Sequence, residues 1–404
     1  MQPHDQLQTT TQYISTASST YQQHIPWWNG LNPAAYAELV LPDIDALSSQ
    51  SVDIVVVGAG VTGLSAALSA RKAGASVLLL EREDVLGYGA AGRNAGILSA
   101  GVNMGIADLP AASPGVAFWS ETTQVLLSLI QEAAKPESIL LAHLTGAISL
   151  AESQYAARKL AREARVRLAT GLHAELWSPA QVAEATESRL NAQSVVKALW
   201  LPDEGRIHPL TLLAHLARQA RTLGIHLAGQ AHVVAYKEVT TRHSHSWELT
   251  LANGQHIATS GLIKAVGPTV QPNARIYALS FDIELPDTFP LFWDASPYTY
   301  ADFRPGNGRL AVSGGRYGRA GITRNDAAYY NRLADAAHRW LPELAGQEPM
   351  FKWAVDLNVT ANMIPEIHKL GDVAPGVAIE GLGALGVLPG IVLGRRAGEL
   401  IARK

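Results

Sequence analysis

Residues 53–81 read DIVVVGAGVTGLSAALSARKAGASVLLLE, and this stretch decides the fold. Asp53-Ile54-Val55-Val56-Val57 is a short, apolar, β-branched run. Its length and the glycines behind it favour a buried parallel strand over a helix. Leu64 to Ala73, rich in Ala and Leu, predicts a helix closed by Gly74. Ser76 to Leu80 predicts a second buried strand, ending in Glu81. Gly58 permits the tight turn between strand and helix, Gly60 lets the backbone approach a pyrophosphate, and Gly63 lets the helix pack on the strand. The helix N-terminus offers unpaired N–H groups and a positive dipole end to phosphates. Glu81 can accept hydrogen bonds from ribose hydroxyls and would repel a 2′-phosphate, a repulsion that Arg82 softens. This is a complete dinucleotide-binding β-α-β unit.

The next segment separates FAD from NAD. Residues 87–96 read GYGAAGRNAG. Small residues let a backbone run close against a bulky planar ligand, with Arg93 and Asn94 as polar contacts. An NAD site has no use for such a second cradle, and an unliganded glycine run is costly to order.

Composition excludes other classes. The chain has 404 residues, 48% hydrophobic and 17% charged, which is not the signature of disorder. A formal net charge of −3 argues against a nucleic-acid partner recognised through a basic field. Without cysteine there is no disulfide, thiolate metal site or cysteinyl-linked cofactor. The segment before Tyr21 is rich in Gln, Thr and Ser and has no Lys or Arg, unlike a secretory or transit signal. No apolar stretch reaches the roughly 18 residues of a membrane span. The expectation is a cytoplasmic protein, with its oligomeric state open.

Beyond residue 81 the chain alternates. Helices are predicted over 120–134, 153–170, 209–223 and 326–340, and an apolar helix from about Pro389 to the terminus. Residues 233–266 read as strands, with Asn253-Gly254 as a hairpin turn. A second strand-rich block covers 281–314, turning at Gly306-Asn307-Gly308.

Four segments together resemble the D-amino-acid-oxidase-like superfamily of FAD-dependent oxidoreductases, and within it the gamma-glutamylputrescine oxidase and glycine oxidase group. They are 53–81, 87–96, the "DEGRIHP" of 203–209, and the glycine-rich 381–394. Aromatic residues at Tyr21, Trp27 and Trp28 resemble that group's N-terminal arm. The resemblance implies an α/β plus α+β chain. A Rossmann-type FAD-binding domain of the glutathione-reductase-like FAD fold (51–110, 200–270 and 360–404) would interleave with an antiparallel-sheet substrate domain (111–199 and 271–359), behind an arm at 1–50. It also assigns roles. Gly58, Gly60, Val61, Thr62, Gly63, Glu81 and Arg82 would face the ADP half. Gly89, Ala90, Ala91, Gly92, Arg93, Asn94, Ala95, Gly96, Ile97 and Leu98 would line the pyrophosphate, ribityl chain and ring. Val233 would meet the adenine, and Ala265 and Gly267 belong to a turn closing over the cofactor. Gly383, Ala384, Leu385, Gly386 and Val387 would lie by the isoalloxazine, where the following helix aims its positive end. Leu385 stands where the group often has His. With no Cys, and no His between residues 25 and 142, noncovalent FAD is expected.

The chemistry implied is oxidation of a C–N bond of an amine or amino-acid-derived small molecule by hydride transfer to flavin N5, giving an imine, with O2 as acceptor. Amino-acid-oxidising relatives bind the substrate carboxylate with an Arg, and Leu357 sits at that place. Asp356 beside it is either a cation-attracting group or a surface aspartate. Tyr298 and Tyr300 share one strand face by period two and are catalytic candidates for orienting an amine; Trp293 and Phe303 join them as pocket or core aromatics. Lys264 is either an edge lysine with a packed stem or a lysine near the flavin that aids reaction with oxygen. Arg304, Arg316 and Arg319 are either replacements for the missing carboxylate binder or, as expected here, exposed arginines. No histidine spacing suggests a metal. Oxidation of a hydroxy acid or amino acid with another acceptor, or a non-catalytic flavoprotein component, are the alternatives.

Overall fold

The computed structural model describes residues 25–46, 52–110, 114–242, 244–267, 272–294 and 301–403. Tyr21, Tyr298 and Tyr300 lie outside the described residues.

The β-α-β unit forms as read. Strand Val52–Val57 runs parallel to Val77–Leu80 on one side and to His256–Lys264 on the other. The sheet continues through Val77–Leu80 to His226–Ala228, and Gly376–Glu380 adds in parallel to His256–Lys264. A meander of Val233–Thr240 and His245–Leu251 extends it, turning through Asn253 and Gly254. The first helix starts earlier than the sequence predicts, at Val61 rather than Leu64, so Gly63 lies inside it. A Cβ on Gly63 would stand 1.8 Å from the Gly58 carbonyl oxygen, so only glycine lets the helix begin that close to the strand.

Helix Val387–Ala402 packs parallel to Val61–Lys72 along a row of small residues. Gly390, Gly394 and Gly398 are four apart and fall on one helix face. Cβ atoms there would meet Thr62 Oγ1 at 2.5 Å, the Thr62 carbonyl at 2.3 Å and the Ala66 carbonyl at 2.3 Å. The two backbones therefore touch, and both N-termini end at the same place.

The second large sheet runs in the order Phe351–Leu357, Ala274–Asp282, Arg309–Arg319, Ala301–Pro305, Leu291–Asp294, Ala147–Ala151, Lys197–Leu201, Glu175–Trp177. It is antiparallel apart from the pair Leu291–Asp294 with Ala147–Ala151, which is parallel. One face buries Phe281, Phe292, Phe303 and Leu310 against helix Asp326–Trp340. The other face contributes Ala278, Trp353, Val355 and Leu357 to the core of the first sheet. Helix Pro114–Ala133, expected with the substrate domain, buries Phe118, Trp119, Leu126 and Leu129 in that same first core. The N-terminal arm is no loose tail over its described part. Trp27 is buried, and Arg221 ties helix Pro33–Leu39 down through the Glu38 carboxylate at 2.7 Å. Among the described residues, no helix is long and apolar enough to cross a membrane.

Candidate active site

A cavity of about 1060 Å³ lies where the strand ends of the first sheet meet the inner face of the second. Three glycine loops of identical spacing line it: 58–63, 87–92 and 381–386. The first two are built alike. Gly58 (φ +97°) and Gly87 (φ +108°) make the turn, and Gly60 and Gly89 are N-caps in nearly the same extended conformation. Gly63 and Gly92 each lie under the first glycine's carbonyl, where a Cβ would approach to 1.8 and 2.1 Å. The third loop differs, because its helix begins only after the last glycine, with Gly386 as N-cap. None of the three N-caps has a side-chain hydrogen bond.

At the first loop, Glu81 is less free than the sequence suggests. Its carboxylate accepts the Ala59 and Arg82 amides at 2.9 Å and the Glu83 amide at 3.3 Å. It organises the loop and keeps part of its acceptor capacity for the cavity, which it lines with Arg82. Arg82 is turned toward Glu83, at 2.9 Å. Val233, Ala265 and Gly267 line the same end. Lys264 lines it too, with its ammonium 5.7 Å from the centre of the Tyr236 ring. It thus leans on the meander strand that carries Val233.

At the second loop, Ala90, Ala91, Arg93, Asn94, Ala95 and Ile97 face the cavity with Gly89. Gly92, Gly96 and Leu98 stand behind and shape the backbone. The Asn94 side chain is consumed by the loop itself: it donates to the Ala91 carbonyl at 2.6 Å and accepts the Gly96 amide at 2.9 Å. A wall backs the cradle. Arg304, expected to be exposed, is fully buried, with Nη2 3.2 Å from the Ile207 carbonyl and its guanidinium 4.9 Å from the Trp27 ring centre. Burial, with Arg206 nearby, lowers Arg304 to about 9. Arg316 and Arg319 are exposed as expected.

The third loop is fastened by a residue with no sequence motif of its own. Asn103 accepts the Leu385 amide at 2.8 Å and donates to the Leu382 carbonyl at 3.1 Å. It thereby presents Gly383, Ala384, Leu385, Gly386 and Val387 to the cavity.

The second sheet roofs the cavity. One cross-strand row runs Trp293, Asp302, Ser313, Ala278, Trp353, and every member lines it. Val355 and Leu357 continue along the last strand. Phe303, one residue on from Asp302, points the other way and stacks on Phe292 at 4.3 Å. Asp356 also faces away, paired with Arg275 at 2.9 Å. The sheet contributes no Lys or Arg to the cavity among the described residues. Its one carboxylate there is Asp302, which has no hydrogen-bond or ion-pair partner among the described residues. Burial and the Asp294 carboxylate push Asp302 up to about 7. The sequence signal for Asp302 is one further step of the alternation through Tyr298 and Tyr300. No cluster of three His, Asp or Glu among the described residues could hold a metal.

Residues 53–400 match the family described as FAD dependent oxidoreductase, abbreviated DAO. The chain belongs to that family. Glycine oxidase from Geobacillus kaustophilus has the same fold, with a TM-score of 0.74 and 19% identity over 88% of this chain and 95% of that one. So does L-amino acid deaminase from Proteus vulgaris with its specific insertion deleted, at a TM-score of 0.74 and 15% identity over 95% and 96%. The anaerobic glycerol-3-phosphate dehydrogenase of Haemophilus influenzae has one component polypeptide that is 29% identical over 185 residues, covering 46% of this chain. That match spans 29% of the relative's length.

The residues present fit the family's FAD. The cavity is at the upper end of the roughly 300–1,000 Å³ usual for small-molecule sites. Cβ atoms on Gly60 and Gly89 would meet little protein, the first only Ala91 Cβ at 3.6 Å and the second nothing within 4 Å, so both glycines leave room at a ligand surface. The parallel helices Val61–Lys72 and Val387–Ala402 bring two uncapped positive ends together, an arrangement that an anionic ligand between them stabilises.

Proposed function

We propose that this FAD-dependent oxidoreductase oxidises a C–N bond of an amine or amino-acid-derived small molecule to the imine, with O2 as electron acceptor. FAD would lie along the three glycine loops, held without a covalent link, and supplies a two-electron acceptor for a substrate hydride. Gly60 to Gly63 and Glu81 would serve the ADP half, residues 89–97 the pyrophosphate and ring, and residues 383–387 the far side of the ring. The roof would hold the substrate, with Trp293, Trp353, Val355 and Leu357 excluding water from the reacting carbon.

The observation that carries this reading is the absence of any cation on the roof among the described residues, with Leu357 lining the cavity. A carboxylate or phosphate desolvated there has no guanidinium or ammonium to pair with. An amine has no such need.

The test is an anaerobic screen of the holoprotein across amines, amino acids and hydroxy acids, read as bleaching of the flavin spectrum. Bleaching by amines, with peroxide released on re-aeration, supports the reading. Bleaching by hydroxy acids alone replaces it with the alcohol-oxidising alternative. No bleaching by any class points to a non-catalytic flavoprotein.

A further inference from the structure

The roof contains one feature that the proposed oxidation does not by itself require: a carboxylate without a hydrogen-bond or ion-pair partner among the described residues, with the Asp294 carboxylate and the Tyr317 phenol nearby. Asp302 stands between Trp293 and Ser313 in the cross-strand row that lines the cavity. It is half-buried. Its neighbour Asp294 is satisfied, accepting the Ala301 amide at 3.0 Å and the Trp340 indole at 3.1 Å. Asp302 has no equivalent partner among the described residues, and it lines the cavity. Buried carboxylates are ordinarily paired or hydrogen-bonded, because leaving one unpaired costs several kcal/mol of solvation. A partner that arrives with the ligand resolves this.

We propose that Asp302 is the specificity-determining anchor for a cationic amino group of the substrate, so that the site selects ammonium-bearing molecules lacking a carboxylate next to the nitrogen. This rests on the C–N reading above and names its substrate class. The charge pattern agrees. The sheet offers the cavity one anion and no cation among the described residues, so an ammonium gains an ion pair under the roof while a carboxylate there meets repulsion. Trp293, directly opposite Asp302 on the neighbouring strand, puts an aromatic side chain beside the same cation. If the anchored nitrogen is the one that reacts, its proton passes to the Asp302 carboxylate, leaving a neutral amine and a neutral acid. If it is a second nitrogen, the ion pair persists.

The experiment uses two inert probes of one shape and opposite charge, tert-butylammonium and trimethylacetate, titrated calorimetrically into FAD-loaded protein. Neither carries hydrogen on the carbon bearing its charged group, so neither is oxidised there. The wild type is expected to bind the ammonium and not the carboxylate. Asp302→Asn is expected to weaken the ammonium at least tenfold, and Asp302→Glu to restore part of it, with FAD affinity unchanged in both. Equal ammonium binding in wild type and Asp302→Asn, or no ammonium binding by the wild type, overturns the anchor even if amines bleach the flavin. Ammonium binding that depends on Asp302 in a protein that bleaches only with hydroxy acids overturns the C–N reading and keeps the anchor. With oxidisable substrates, a monoamine whose kcat/KM falls in Asp302→Asn identifies the reacting nitrogen as the one anchored. A loss confined to diamines identifies the second nitrogen.

Discussion

The Trp353 indole donates to the main-chain carbonyl of Arg93 at 2.8 Å. The next carbonyl along, that of Asn94, accepts from the Trp27 indole at 2.9 Å. Two tryptophans, one from the roof and one from the N-terminal arm, thus hold consecutive peptide groups at the end of the second glycine loop. Trp353→Phe keeps an aromatic side chain of smaller size and removes the donor to the Arg93 carbonyl. A loss of about 1–2 kcal/mol in stability is expected, with FAD affinity down about fivefold. Urea denaturation of the apoprotein and FAD titration measure the two effects separately.

Gly60 and Gly63 should respond oppositely to the same added methyl group. At Gly60 the methyl meets only Ala91 at 3.6 Å and points into the cavity. Gly60→Ala is therefore expected to melt like the wild type and to bind FAD at least tenfold more weakly. At Gly63 the methyl would overlap the Gly58 carbonyl. Gly63→Ala should lose about 3 kcal/mol or more, because backbone rather than a flexible side chain must move. Thermal melts of the two apoproteins, followed by FAD titration of those that fold, check this.

Asn103 provides both halves of a two-point clamp on the third loop. Asn103→Ala removes both hydrogen bonds at once, and Gly383 and Leu385 lose their registration toward the cavity. FAD affinity is expected to fall about tenfold. Asn103→Asp retains the acceptor for the Leu385 amide and should fall less. Fluorescence titration with FAD distinguishes the two variants.

Two buried groups should give opposing pH dependences of stability. Burial pushes Glu204 up to about 7, against the Arg167 guanidinium 3.5 Å away and the Ala100 amide, which pull it down. Between the ordinary carboxyl value and 7, folded Glu204 holds a proton that the unfolded chain has lost, so stability falls as pH rises. Burial and the nearby Arg304 lower His208 to about 4. Between 6.5 and 4 the unfolded chain protonates this imidazole first, so stability falls as pH falls. Each slope integrates to on the order of 3 kcal/mol, and over most of the shared window they offset. Glu204→Gln removes the first, so the variant's stability should climb with pH from about 4.5 to 6.5 more steeply than the wild type's. Urea midpoints across that range test it.

The β-α-β unit was legible because each of its parts is local: a β-branched run, a tight turn and a helix closed by glycine. The meander hairpin and helix Asp326–Trp340 were legible for the same reason. The side-chain roles were less so. Arg304 reads as a surface arginine and is buried, because backbone carbonyls from two distant segments and the Trp27 ring converge on it. Asp302 and Asp356 are similar in sequence terms, yet one lines the cavity unpaired and the other is neutralised by Arg275. Strand register and a partner 81 residues away separate them.

The sequence by itself determined the dinucleotide unit, the flavin class and three glycine loops of equal spacing, since spacing and residue size are properties of the chain. Only the tertiary structure decided that two of those loops are built alike while the third opens its helix three residues later in its register. It alone brought all three to one cavity, the first and third through a helix pair whose glycines let the backbones touch. It also decided which face of the roof meets that cavity. Alternation along a strand offers two faces, and packing against helix Asp326–Trp340 takes one of them, leaving Asp302 on the other.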